Sequence, residues 1–116
     1  MPAPITVVET PEFLSATRRL LDEEERSALV DYLSRRPTAG DMIRGTGGVR
    51  KLRWGLGSRG KRGGARVIYF YHNAALPLFF LTAYAKNVKA DLSQEDRNDF
   101  RGLTKRLVVG YRGSKR

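Results

Sequence analysis

From Met42 to Ala90 the chain carries ten Lys and Arg residues and not one Asp or Glu. Cations are seldom buried without a partner, and like charges crowded without interspersed acids repel one another. A cluster left uncompensated within its own span points to an anion from outside that supplies the missing charge. The densest part, VRKLRWGLGSRGKRGGARV at 49–67, holds seven cations and five glycines. Residues 1–41 carry five cations and eight acids, and residues 91–116 seven and four, so the middle span alone equals the +10 of the whole chain. A positive field confined to one part of a sequence points to a polyanionic partner.

The same span has the pattern of a sheet. VRKLRWGL (49–56) alternates, with Arg50, Leu52 and Trp54 on one face and Val49, Lys51 and Arg53 on the other. ARVIYFYHN (65–73) is dense in β-formers, and LFFLTAYAK (78–86) follows a short turn at Asn73–Pro77. Three strands in sequence with short links predict an antiparallel meander. Upstream, ITVVE (5–9) predicts a further strand, and TAGDMIRGTGG, rich in turn formers, predicts a loop. Thr10-Pro11-Glu12 is a helix start, and Asp22 with Glu25 has the spacing of a capping box, so a helical hairpin is expected over 11–36. Ser93 to Asp96 resembles another capping box, and Phe100, Leu103 and Leu107 form one apolar stripe with Gly110 as its expected C-cap. The order β-α-α-β-β-β-α predicts an α+β fold: a four-stranded, mostly antiparallel sheet with helices on one face. We expect one domain over 1–110 and a flexible basic tail at 111–116.

Composition excludes several chemistries. Without cysteine there are no disulfides, thiolate metal sites or thiol catalysis, and with His72 as the sole histidine there is no two-histidine acid–base pair. The acid-free span offers no paired carboxylates for a divalent cation, so no metal and no cofactor is expected. No apolar run approaches the roughly 20 residues of a membrane span, and MPAPITVVET lacks the features of a signal peptide, so a cytoplasmic location is expected.

On the predicted strands Lys51 and Arg53 share a face, and Lys86 shares one with Tyr84, Thr82 and Phe80. The opposite face of that last strand, Phe79, Leu81, Ala83 and Ala85, is apolar enough to be core. Arg66 lies on a strand apolar on both sides, where periodicity does not say which face is buried. If Arg66 points with Lys51, Arg53 and Lys86, four cations beside aromatics would grip phosphates and stack unpaired bases. The glycine-rich loop adds Arg59, Lys61 and Arg62 on a tether able to follow a phosphate backbone; Arg50, Lys89 and Tyr71 complete the expected RNA-binding set. His72, Trp54 and Tyr69 are read as structural. For catalysis, arginines could clamp a pentacoordinate phosphate and a lysine crowded by them could act as base. Chemistry alone leaves both open and favours binding.

The runs GDMIRGTGGVRKLRW, GKRGGARVIYFYH and FLTAYAKNVKADLS, in that order, resemble the RelE/HigB branch of toxins from bacterial type II toxin–antitoxin pairs. The resemblance covers roughly 40–93 and implies a ribosome-dependent endoribonuclease that cuts mRNA in the A site without metal or cofactor. It also implies a cognate antitoxin, DNA-binding in most pairs, through which alone the toxin meets operator DNA. Its implied catalytic residues are Lys51 and Arg53 (substrate binding and base), Arg66 (phosphate stabilisation) and Lys86. The tyrosine acid that better known members place just after this last cation is absent from 87–92, which leaves Tyr84 and Tyr111 as substitutes. A gyrase-poisoning toxin of the ParE type and a non-catalytic RNA- or DNA-binding module are the alternatives.

Overall fold

Thr10 does two things at the start of the first helix. Its hydroxyl oxygen accepts from the Phe13 N–H at 3.2 Å and donates to the Phe80 carbonyl at 2.7 Å, capping the helix and tying it to a strand seventy residues away. The computed structural model describes residues 3–55, 64–86 and 91–114. Within them the elements are β1 (Val7–Glu9), α1 (Pro11–Thr17), α2 (Glu23–Arg35), β2 (Asp41–Met42), β3 (Val49–Trp54), β4 (Ala65–Phe70), β5 (Leu78–Ala85) and α3 (Gln94–Ser114). The capping box expected at Asp22 and Glu25 forms with both reciprocal bonds, at 2.7 and 2.9 Å. Ser93 and Asp96 exchange the corresponding pair ahead of α3, each at 3.0 Å.

The sheet has five strands in the order β1-β5-β4-β3-β2, with β1 parallel to β5 and every other pairing antiparallel. The class is as expected, with one strand more. The extra strand is β2, two residues inside the stretch read as a loop; a strand so short leaves no alternation to detect. Its turn into β3 is closed by Thr46, whose hydroxyl donates to the Ile43 carbonyl at 2.7 Å and accepts from the Val49 N–H at 3.1 Å.

Two further expectations are corrected. The helices do not share one face. α1 and α2 pack Phe13, Leu29 and Leu33 on Leu52, Val67, Tyr69 and Phe80, whereas α3 lays Phe100, Leu103 and Leu107 on Val49, Ile68 and Phe70 across the sheet. Central β4 is buried along its whole length for that reason. Nor does β5 alternate strictly: Ala83 and Ala85 pack toward α1 and α2, but Leu81 and Phe79 pack toward α3. A register shift opposite Ile68 and Tyr69 is responsible. An extra residue at such an irregularity exchanges inward for outward from that point on. α3 also runs through Gly110 to Ser114 instead of capping there.

Candidate nucleic-acid interface

Residues directly opposite in a pleated sheet share a face, so register alone assembles the site. Arg53 on β3 stands opposite Arg66 on β4, and Arg66 opposite Tyr84 on β5. One step along, Lys51 faces Ile68, and Ile68 faces Thr82. Lys86 follows just beyond β5, where its N–H donates to the Gly64 carbonyl at 3.3 Å and its side chain is exposed. Arg66, which periodicity did not orient, therefore lies with Lys51 and Arg53 on the face that α3 covers in part.

Burial is graded across this row. Arg53 is exposed, Tyr84 half-buried and Arg66 only 7% exposed. Arg53 and Arg66 therefore place two like charges directly opposite one another on neighbouring strands. α3 covers the other half of the face, the part built from Val49, Ile68, Phe70 and Leu81. A strip of charged sheet thus lies beside a hydrophobic floor.

Both acids that bound the acid-free span arrive at Lys51. Asp41 is its register partner on β2. Asp91, ahead of α3, puts Oδ1 at 3.2 Å from Lys51 Nζ and Oδ2 at 3.6 Å from Arg97 Nη2. The Leu92 N–H donated to Asp91, together with these two cations, holds the carboxyl below the usual aspartate range. Neither Asp91 nor Arg97 was singled out from the sequence. The available signal was that Asp91 is the first acid after forty-nine residues without one.

Other expected residues sit elsewhere. Arg50 points away from Lys51 and Arg53, and its Nη1 donates to the Gly40 carbonyl at 2.8 Å, so it holds the segment before β2 instead of facing the cation row. Tyr71 packs at the edge of the core beneath α1 and α2, on the opposite side from Arg66. Tyr111 lines a cavity with Ile5, Thr6, Leu76 and Pro77, at the far end of β5 from Tyr84, which removes it as a substitute acid. Arg59, Lys61, Arg62 and Lys89 lie outside the described residues. Trp54 and Tyr69 are in or against the core as expected, with Tyr69 Oη donating to the Pro37 carbonyl and accepting from the Gly40 N–H, both at 2.8 Å. His72 is exposed beside Phe70, away from the cation row. Among the described residues no three His, Asp or Glu side chains converge as cation ligands, and no helix is long and apolar enough to cross a membrane.

Fold and site together define a small α+β protein that gathers Lys51, Arg53 and Arg66 on one face of its sheet. Residues 19–112 match the model of the RelE family, described as the RelE toxin of the RelE/RelB toxin–antitoxin system, and the chain belongs to that family of toxins. Among solved structures it is similar to a mutant of E. coli toxin RelE in the free state, with a TM-score of 0.54 and 17% identity over 76% of this chain and 90% of that one. That likeness is one of fold. The family is defined by a toxin and its antitoxin, so an antitoxin is the partner that membership implies.

Proposed function

We propose that the chain is a ribosome-dependent endoribonuclease that cuts mRNA in the A site and so halts translation. The observation that carries this reading is the row Arg53, Arg66 and Tyr84 across three strands, with Lys51 next along the same face and Lys86 just beyond the end of β5. RNA cleaves itself when its 2′-hydroxyl loses a proton and attacks the adjacent phosphorus. The P–O5′ bond then breaks, the 5′-oxygen takes up a proton, and a 2′,3′-cyclic phosphate remains. Each requirement has a candidate on this face. Arg66, fixed by its burial, and Arg53, at the solvent edge, would hold the two non-bridging oxygens as charge builds on them, the role of fixed cations in phosphoryl chemistry. Lys51, whose ammonium pairs with Asp91 in the free protein, would offset the charge on the 2′-oxygen as its proton passes to solvent, and Lys86 would hold the strand on the far side of the row. Tyr84 is the candidate donor to the leaving oxygen, since it stands next to Arg66 in register. The 2′-proton passes to solvent and Tyr84 supplies the proton on the 5′-oxygen, so the reading needs no metal and no cofactor.

The test is translation of a reporter mRNA with wild-type protein and with Arg66→Ala, followed by mapping of 5′ ends. Cuts within codons on translating ribosomes, lost in the variant, are the expected result. Intact transcripts overturn the nuclease. DNA-damage signalling without mRNA cuts would select a gyrase poison, and salt-sensitive RNA binding with unimpaired growth would select a binding module. Co-expression with the adjoining reading frame should restore growth if that frame encodes the antitoxin, whose acidic or apolar groups would cover the basic face or its approaches.

A further inference from the structure

The carboxylate of Asp91 is shared between two cations on different elements, Lys51 on β3 and Arg97 on α3. One oxygen faces each. A phosphodiester also offers two anionic oxygens from a single centre, and arginine accepts carboxylate and phosphate in the same forked manner. The surroundings make the place a poor home for a purely structural pair. The Asp91 side chain keeps 51% of its surface in solvent, and Lys51 and Arg97 keep 28% each. An exposed pair of this kind adds little to stability. It nevertheless sits beside the densest positive charge of the chain, two residue pairs along β3 and β4 from Arg53 and Arg66. Arg97 also places Nη1 3.5 Å from the Arg44 carbonyl, a second contact that does not involve the carboxylate.

We propose that Asp91 is a built-in stand-in for an RNA phosphate, occupying a seat between Lys51 and Arg97 that the substrate strand takes over when it binds. The proposal rests on the RNA-cleaving reading of this face and adds two things to it. Arg97 becomes a substrate-binding residue, the first contribution of α3 to that surface. Asp91 becomes a competitor that lowers affinity for any single phosphate, so that a strand must engage the rest of the row as well to displace it. Both effects are electrostatic, and salt should therefore reveal them.

The experiment measures binding of a fluorescent single-stranded RNA carrying 2′-O-methyl groups, which block cleavage, by anisotropy over a series of salt concentrations. Asp91→Asn keeps the side-chain oxygen that accepts from the Leu92 N–H, removes the charge and puts an amide NH2 where the second oxygen faces Arg97. It should tighten binding about two- to fivefold, the size of one exposed ion pair. Arg97→Gln should weaken binding and make the salt slope shallower by about 0.7, the loss of one phosphate contact to a single strand. In the double variant the gain from Asp91→Asn should shrink, because half the seat is gone. Melting temperatures accompany each variant. Unchanged or weaker binding by Asp91→Asn, or an Arg97→Gln slope equal to wild type, overturns the seat, as does wild-type protein that does not bind the oligonucleotide. These outcomes separate from the nuclease test. Cut mRNA with an unmoved Asp91→Asn affinity sinks the seat alone, and the expected binding shifts with intact mRNA sink the nuclease alone.

Discussion

On the side of the sheet covered by α1 and α2, Phe13, Leu29, Leu33, Tyr69 and Phe80 have no exposed surface at all. On the other side α3 seals Val49, Ile68 and Phe70 equally well, yet one row further along stand Arg53, Arg66 and Tyr84. The same three strands supply both faces, because alternate residues point to opposite sides. One face is committed to stability along its length. The other divides its length between stability and an anion site. Substitutions should accordingly sort by face: those beneath α1 and α2 move melting without selectively moving activity, and those in the cation row do the reverse.

The largest effect expected is Phe80→Ala. Phe80 is fully buried and meets Phe13 edge-on with ring centroids 4.7 Å apart, so truncation leaves a cavity and should cost about 3–5 kcal/mol. Urea denaturation measures it, and activity per folded molecule should hold. Loss of activity at full stability would break the division between faces. Next is Arg66→Ala, which should lower cleavage about 10²–10³-fold, as removal of a fixed transition-state donor does. Because Arg66 is itself buried, Arg53→Ala sharpens the comparison: that exposed side chain should change stability by less than about 0.5 kcal/mol while activity still falls.

A third expectation concerns Tyr69→Phe. It strands the Gly40 N–H and the Pro37 carbonyl that the hydroxyl now satisfies, a loss of about 1–3 kcal/mol by denaturation. Burial also raises the Tyr69 pKa above its ordinary 10.0. The hydroxyl's contribution is therefore complete below pH 10.0 and is lost as pH rises through the folded value. The alkaline limb of the wild-type melting curve should show that loss, and the Phe variant should lack it.

Much of this arrangement was legible in the residues. The caps at Thr10, Asp22 and Ser93 were readable because each is a local hydrogen-bond pattern written within four positions. Lys51 and Arg53 could be placed together because β3 alternates cleanly. Arg66 could not be oriented, since β4 is apolar on both sides when helices cover both faces of a sheet. The exchange of faces along β5 was invisible because the shift depends on pairing between Ile68 and Thr82, not on either strand alone. Asp91 was passed over for a related reason. Its partner on β3 is forty residues back, and a contact at that separation is set by how α3 docks.

The smallest effect expected belongs to that same contact and ties the two kinds of residue together. The Asp91 carboxyl titrates below its ordinary 3.8 in the folded protein, so the bridge stabilises the fold above pH 3.8 and is lost as the pH falls through the lower folded value. Melting temperatures of wild type and Asp91→Asn should differ slightly at neutral pH and converge in acid. High salt should narrow the neutral-pH difference, because half of the carboxylate is in solvent. If the difference is present and Asp91→Asn also binds RNA more tightly, one carboxylate holds α3 to β3 in the free protein and yields that position to the substrate. The cation row would then be marginally stabilised by the very group that opposes its use, which is how a surface of like charges can persist in a folded chain until its polyanion arrives.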